Sequence, residues 1–232
     1  MSADAARASE REPTQHVAEA GAPVPGAPAA ASFAERLTEL QFTLQHEKPE
    51  ALRDVAIEEL DPFLRALLFT DGTVTRSLEA HTLSPVTVRP LEQVTVAAPA
   101  DAARCLEVAA GVECVRRRVS MQIAGAPVGI WAESFLLIDR LPGHFVERMG
   151  ASTTGIGGSL QQLKLESWRE LLHFGLSSPP DWAGLATPSP LALTRLYRIC
   201  TVGRPALLIS ETFAVEPADD RYRLIGASEP RG

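Results

Sequence analysis

The sequence has few cysteines and no long apolar run. Its three cysteines, Cys105, Cys114 and Cys200, stand far apart in a chain of 232 residues, and an odd number at such spacing argues against a disulfide framework. No run of 18 apolar residues occurs, so we expect no transmembrane helix. The first residues mix acids with arginines and lead into no apolar segment, unlike a secretory signal. These observations predict a cytoplasmic protein with reduced thiols.

An excess of positive charge is also lacking. The 22 lysines and arginines are outnumbered by 29 aspartates and glutamates, which gives a net charge of −7. Nucleic acids and anionic membranes need a basic surface, so neither is an expected partner, whereas a small anion needs only one or two cations. The five histidines show no metal-site spacing with cysteines or acids. We therefore expect no metal ion. We also expect no other cofactor, and a monomer.

Large side chains are scarce at the N-terminus. Residues 1–32 are rich in alanine and proline, and their large aliphatic side chains are Val17 and Val24 alone. Such a segment cannot bury enough apolar surface to offset the entropy lost on ordering. We interpret it as a disordered tail, followed by a single domain over residues 33–232.

Hydrophobic periodicity in this domain predicts an α+β fold, with a mostly antiparallel sheet and helices gathered on one side. Asp61 and Pro62 have the order of an N-cap and a first-turn proline, and Gly175 is placed to end the last helix. The predicted helices cover residues 33–44, 62–69, 73–79, 144–149 and 159–174, and the predicted strands cover 86–96, 112–123, 128–138, 192–201 and 205–215.

Three charged residues fall on otherwise apolar faces of predicted strands, where side chains alternate between the two sides of the sheet. They are Arg117 in strand 112–123, Glu133 in strand 128–138 and Glu211 in strand 205–215. A buried charge is unfavourable unless it is paired or functional. One interpretation is therefore a structural pair, either Arg117–Glu133 or Arg117–Glu211. The other is a closed cavity in which the arginine binds an anion and a carboxylate acts as an acid.

Residues 155–158 have the sequence Gly-Ile-Gly-Gly ahead of a predicted helix. Free N–H groups at a helix start can bind an anion. The segment lacks the full spacing of a phosphate-binding loop, so it is equally compatible with a flexible turn.

A series of short motifs then follows in a particular order along the chain. They are Asp71–Arg76 with Leu78 and Glu79, the Arg117 strand, Ala132–Ser134 leading to Ile138–Pro142, the Gly-Ile-Gly segment, Tyr197 with Arg198, and Leu207–Phe213. In order and spacing this series resembles the chorismate pyruvate-lyase family over about residues 35–216. The resemblance is greatest to its longer actinobacterial-type branch, which makes 4-hydroxybenzoate for glycolipids or secondary metabolites.

The resemblance implies a chorismate lyase-like fold, in which a six-stranded antiparallel sheet with helices on one side encloses a buried ligand pocket. It implies elimination of pyruvate from chorismate to give 4-hydroxybenzoate, without a cofactor. Arg117 and Glu211 match the family's catalytic pair: the arginine binds the substrate carboxylate, and the glutamate acts as general acid or orients the substrate. Backbone groups at Val74 and Ile156, with the adjacent Gly157, match its other ligand contacts.

The same fold also serves as the effector-binding domain of GntR-type repressors, which carry a winged-helix DNA-binding domain ahead of it. The residues before position 33 are instead an alanine- and proline-rich segment, so we do not expect a repressor in one chain. A non-catalytic small-molecule binding domain is the alternative. Arg117 and Glu211 are both present, and because function depends on site residues rather than fold, they favour the lyase.

Overall fold

The computed structural model describes residues 32–42, 47–124, 129–145, 149, 155–185 and 190–226. Most of the predicted N-terminal tail, the turn of the hairpin at 125–127, the centre of the helix predicted at 144–149 and the start of the 151–158 loop lie outside these residues. Within the described ranges, no helix is long and apolar enough to cross a membrane.

One antiparallel sheet of seven strands dominates the described part of the chain. Its strands are β1 (Val86–Ala97), β2 (Glu113–Ile123), β3 (Ile130–Leu136), β4 (Ser167–Ser177), β5 (Leu191–Thr201), β6 (Arg204–Ala218) and β7 (Arg221–Leu224). Six of them follow the order β1-β2-β3-β6-β5-β4, and the short β7 pairs with β6. The α+β prediction with an antiparallel six-stranded sheet is therefore confirmed, and β7 extends it.

The helices in the described ranges are short. They are α1 (Phe33–Gln41), α2 (Pro62–Phe69), α3 (Val74–Thr82), α4 (Ala100–Cys105) and α5 (Ile156–Gln162). Local capping explains where the first two begin. Ser32 and Glu35 form a reciprocal capping box, and the side chain of Asp61 accepts a 2.6 Å hydrogen bond from the Leu64 amide, as the sequence predicts.

The two faces of the sheet carry separate hydrophobic clusters. The larger cluster lies between one face and the helices α2, α3 and α5, with Leu64, Leu78 and Leu160 among its buried side chains. A smaller cluster on the other face includes Ala103 of α4 and Leu208 of β6. Because apolar residues cover both faces, the central strands are buried on both sides, and their hydrophobic alternation is weak.

The prediction of a helix over residues 159–174 is wrong. The helix α5 ends at Gln162, and residues 167–177 form the edge strand β4. Leu171 is buried in the larger cluster and Leu172 in the smaller one, as consecutive strand residues face opposite sides. Because apolar residues are buried on both faces and the register shifts between Leu171 and His173, the alternation typical of a strand is hidden. Gly175 does not end a helix; an added Cβ there would overlap the backbone of Arg53, which pairs with Leu176 in an isolated bridge.

Candidate active site

A cavity lies between the larger-cluster face of the sheet and the first turns of α3 and α5. Its floor consists of inward-facing side chains of the strands, and its rim consists of residues 72–75 and 155–158. All five residues predicted as site residues line it: Val74, Arg117, Ile156, Gly157 and Glu211. The sheet thus brings together groups that are up to 137 positions apart, from 74 to 211, in the sequence.

Arg117 is a buried cation without a buried counterion among the described residues. It is 2% exposed, and burial lowers the pKa of its guanidinium from the usual value. Its Nη1 donates to Oε1 of Gln93 on the neighbouring strand at 2.5 Å. Its Nη2 is buried and has no hydrogen-bond partner among the described residues. An unmatched guanidinium in a cavity favours binding of an anion, because the anion supplies both the charge and the acceptor.

Neither of the structural pairs considered for Arg117 forms among the described residues. The register of β2 and β3 sets Arg117 opposite Ser134, and Arg118 opposite Glu133. Glu133 therefore lies on the opposite face of the sheet from the cavity, where its Oε1 accepts a 2.7 Å hydrogen bond from Nε of Arg118. The prediction that Glu133 shares the face of Arg117 is wrong because both faces of β3 are apolar, and alternation alone cannot identify the inner one.

Glu211 is buried on the cavity face of β6, at 6% exposure, and has two partners on β5. Its Oε2 accepts a 2.7 Å hydrogen bond from Nε of Arg195, and its Oε1 accepts one of 3.2 Å from the hydroxyl of Tyr197. Burial and the adjacent Glu211 carboxylate raise the pKa of the Tyr197 phenol, so this hydroxyl stays protonated and donates. Glu211 is thus held in place by an ion pair and a neutral donor.

Arg195 links Glu211 to the end of helix α2. Its side chain is fully buried, and its Nη1 donates to the carbonyl oxygens of Leu67 at 2.5 Å, Leu68 at 3.2 Å and Thr70 at 3.1 Å. These carbonyls belong to the C-terminal end of the helix, which carries partial negative charge. The buried guanidinium is therefore neutralised from two sides, by the carboxylate and by the helix end.

The rim of the cavity consists of two segments in direct contact. An added Cβ at Gly157 would overlap the Cγ2 methyl of Thr73, so the absence of a side chain at Gly157 lets the two segments approach. Val74 and Ile156 are the first residues of α3 and α5, and amides in a first helical turn have no partner within the helix. Arg169 of β4 also lines the cavity and donates through Nη1 to the carbonyl of Asp71.

Two arginines of this region, Arg195 and Arg169, were not predicted from the sequence. Arg195 had the same signal that identified Arg117, since it alternates with Leu193 and Tyr197 on one face of a strand. Arg169 carries no such signal, because the sequence around it predicts a helix. Across the described ranges, no cluster of three or more histidine, cysteine, aspartate or glutamate side chains fits a metal ion.

Comparison with known proteins places the chain in a family. The family described as "Chorismate pyruvate-lyase Rv2949c-like" matches residues 68–219. The curated "Chorismate pyruvate-lyase" of Mycobacterium tuberculosis strain H37Rv is 25% identical over 168 residues, which cover 70% of this chain and 84% of the relative. The protein of the same name from Mycobacterium bovis matches to the same extent.

Solved structures share the fold at lower sequence identity. PhnF from Mycobacterium smegmatis superposes with a TM-score of 0.50 at 11% identity and covers 62% of this chain and 64% of its own. The ligand-binding domain of a GntR-family transcriptional regulator from Bordetella bronchiseptica gives 0.46 at 19% identity, over 61% and 87% of the two chains. The family match spans more than half of the sequence and contains Val74, Arg117, Ile156, Gly157 and Glu211. The chain belongs to the Rv2949c-like chorismate pyruvate-lyase family.

Proposed function

We propose that this protein is a chorismate pyruvate-lyase, which eliminates pyruvate from chorismate and releases 4-hydroxybenzoate. The observation that carries the proposal is the buried, unmatched Nη2 of Arg117 in a cavity that also contains the carboxylate of Glu211. Membership of the family supports the same activity. The two charged groups, together with the apolar floor of the cavity, suit a small ring that bears a carboxylate.

Binding of the ring carboxylate falls to Arg117. A guanidinium presents a planar set of donors that matches a carboxylate, and the carboxylate removes the cost of a buried cation. The amides of Val74, Ile156 and Gly157 lie at or next to helix starts on the rim, where free N–H groups stabilise negative charge. The contact between the rim segments excludes water, which strengthens these interactions.

The elimination breaks the bond between a ring carbon and the ether oxygen of the enolpyruvyl group. The neighbouring ring carbon loses its proton, and the electron pair of that C–H bond completes the aromatic ring. The departing oxygen keeps the electrons of the broken bond, and the enolpyruvate that leaves becomes pyruvate when its methylene carbon gains a proton, which balances the proton lost from the ring. Because an aromatic product forms, the protein has mainly to hold the substrate in the reactive geometry.

Glu211 can assist in either of two ways: as a general acid toward the ether oxygen, or as a carboxylate that orients the substrate. Its ion pair with Arg195 stabilises the negative carboxylate and thus supports the orienting role. A carboxylate in this position accepts a hydrogen bond from a substrate hydroxyl. Tyr197, whose hydroxyl donates to Glu211, also lines the cavity and helps to hold this carboxylate in place.

A non-catalytic ligand-binding domain is the second candidate. The observation in its favour is that both carboxylate oxygens of Glu211 are engaged by protein donors, an arrangement that also serves a site that only binds. The two candidates share Arg117 as the anion-binding residue and differ in whether the bound ligand is converted.

One assay separates the two functions. We expect purified protein, treated with EDTA and without added cofactor, to release pyruvate and 4-hydroxybenzoate from chorismate in equal amounts. Calorimetric titration with 4-hydroxybenzoate accompanies the assay. Binding of 4-hydroxybenzoate without release of pyruvate at saturating chorismate would establish the binding domain and reject the lyase.

A further inference from the structure

Arg169 presents a second unmatched guanidinium nitrogen to the cavity. Its Nη1 donates to the carbonyl of Asp71, which fixes the side chain at the rim. Its Nε is buried and has no hydrogen-bond partner in the described part of the chain. Because a buried N–H group without an acceptor is unfavourable, this nitrogen, like Nη2 of Arg117, is suited to an acceptor that enters the cavity.

Thr73 supplies a second polar atom at the same rim. It occupies the N-cap position of α3, yet its side chain makes no capping hydrogen bond. Its Oγ1 is buried without a partner among the described residues, and Thr73 lines the cavity together with Arg169. A hydroxyl and a guanidinium at the start of a helix form a suitable set of donors for a carboxylate.

The two arginines lie on the same face of the sheet, on strands at opposite ends of the cavity. Arg117 is on β2 and Arg169 on β4, and the strands β3, β6 and β5 lie between them. Four strand spacings of about 4.8 Å separate their backbones by roughly 19 Å along the sheet. Glu211 is on β6, the middle strand of this path. The order across the cavity is therefore cation, carboxylate, cation.

This order fits a ligand with two separate carboxylates better than a ligand with one. Chorismate has one carboxylate on its ring and a second on its enolpyruvyl group, and the ether bond to be broken lies between them. If Arg117 binds the ring carboxylate, the other carboxylate points away from β2. Arg169 and Thr73 offer side-chain donors for it on the rim.

We propose that Arg169 and Thr73 form a second anion subsite, which binds the enolpyruvyl carboxylate of the substrate. The identity of this carboxylate rests on the proposed lyase function, whereas the preference of the cavity for dianions does not. The subsite selects substrates with two carboxylates and holds the leaving group while the ether bond breaks. The product 4-hydroxybenzoate has no carboxylate for this subsite, so the subsite does not retain it.

Two unreactive probes test the proposal by calorimetry on the full-length protein. 4-Hydroxybenzoate has one carboxylate. 3-(Carboxymethoxy)benzoate has a second carboxylate on an ether at the ring position that bears the enolpyruvyl group in chorismate. We expect Arg169→Gln to weaken binding of the dianionic probe about 10- to 100-fold, the usual effect of losing a hydrogen bond to a charged group. Binding of 4-hydroxybenzoate is expected to change less than threefold.

Two further variants complete the test. Arg169→Lys keeps the charge but loses the planar fork, and we expect a smaller loss for the dianion only; this variant also serves if the glutamine variant does not fold. Arg89→Gln is the matched control, because Arg89 is exposed on β1 and is not among the cavity residues. It removes the same charge and is expected to leave both affinities unchanged.

The outcomes separate this proposal from the proposed function. If the Arg169 variants lost equal affinity for both probes, Arg169 would have a merely structural role and the subsite would be rejected. Unchanged affinity for the dianionic probe, or a wild-type protein that binds neither probe, would also overturn the subsite. Selective loss of the dianion without turnover of chorismate would keep the subsite and reject the lyase. Turnover of chorismate by the wild type, with unchanged binding of the dianionic probe by Arg169→Gln, would keep the lyase and reject the subsite.

Discussion

Nε of Arg195 lies 2.7 Å from Oε2 of Glu211, and both side chains are buried between the sheet and α2. The two residues are directly opposite each other on β5 and β6. The carboxylate that faces the cavity is therefore also the counterion of a structural cation. Any change at Glu211 consequently affects both the chemistry of the site and the stability of the fold, and the two effects have to be measured separately.

We expect Glu211→Gln to lower turnover of chorismate by about 10²–10⁴-fold, whether Glu211 donates a proton as a carboxylic acid or orients the substrate as a carboxylate. The amide keeps the shape of the side chain but loses its negative charge. Binding of 4-hydroxybenzoate should survive, because its carboxylate is bound by Arg117. Steady-state kinetics and calorimetry on the same preparation provide both values.

The control for this variant is its unfolding by urea, since Arg195 loses its counterion. A moderate loss of stability with a folded, ligand-binding protein is expected. If Glu211→Gln retained full turnover, the carboxylate would have no part in the reaction, and its role would be confined to pairing with Arg195.

Arg117 and Arg195 are expected to respond oppositely to removal of their charge. Arg195→Ala leaves Glu211 buried without its cation and should destabilise the fold by about 3–5 kcal/mol, as breaking a buried ion pair does. Arg117→Ala removes a cation that has no buried counterion in the part of the chain that the structure describes, so its effect on stability should be small, while binding of 4-hydroxybenzoate should be largely lost. Urea unfolding and calorimetry on the two variants measure this contrast.

One result would contradict the expected difference between Arg117→Ala and Arg195→Ala. If Arg117→Ala destabilised the protein as strongly as Arg195→Ala and bound 4-hydroxybenzoate normally, Arg117 would be a structural residue. The site would then have to bind its anion through the rim amides and Arg169.

The sequence predicted those parts of the site that lie on strands with clear alternation. In β2 the residues on the side of Arg117 are buried and those on the other side are more exposed, so the inner face of this strand was recognisable. Glu133 was misplaced because β3 is apolar on both sides. In such a strand the inner face depends on the register with its neighbours, and register is a property of the assembled sheet.

The position of Arg169 could not be predicted from the sequence for a different reason. The strand that carries it has a bulge and buries adjacent leucines on opposite faces, so its local pattern matches a helix as well as a strand. A helix over residues 159–174 would separate Arg169 from the strand residues of the site, whereas the strand that forms places it beside them. The short helix α4 was missed for a related reason: it has six residues, and Pro99 at its N-cap makes no side-chain capping bond.

Gly157→Ala should open the rim of the cavity. The added methyl group would overlap Cγ2 of Thr73, so the segments that carry Val74 and Ile156 must separate. Because misplacement by about 1 Å can reduce a rate up to 10²-fold, we expect KM for chorismate to rise about tenfold and kcat to fall. Kinetic assays measure both, and the melting temperature should fall as well, since Val74 is buried in the larger hydrophobic cluster.

Gly143→Ala is the matched control for this substitution. An added Cβ at Gly143 meets no atom within 4 Å, so this variant should behave as the wild type. Wild-type kinetics for Gly157→Ala as well would show that the rim segments separate freely and that their contact is not needed to exclude water.

The buried thiols predict a loss of stability at alkaline pH. Burial, together with the nearby Glu170 carboxylate, raises the pKa of Cys200 to about 11, and burial also raises the pKa values of Cys105 and Cys114. In the unfolded chain a cysteine has a pKa of about 8.5. The unfolded state therefore releases these protons at lower pH than the folded state, so the contribution of the thiols to the free energy of unfolding should be constant below about pH 8 and fall as the pH rises towards 11.

Urea unfolding at pH 7, 9 and 10.5 measures this dependence, with Cys200→Ala as the comparison. The variant lacks one of the thiols with a raised pKa, so its stability should fall less steeply between pH 9 and pH 10.5, even if the lost side chain lowers its stability at pH 7. The slope is the relevant quantity because it counts the protons released on unfolding. Equal slopes in the two proteins would show that the Cys200 thiol ionises as readily in the folded chain as in the unfolded one.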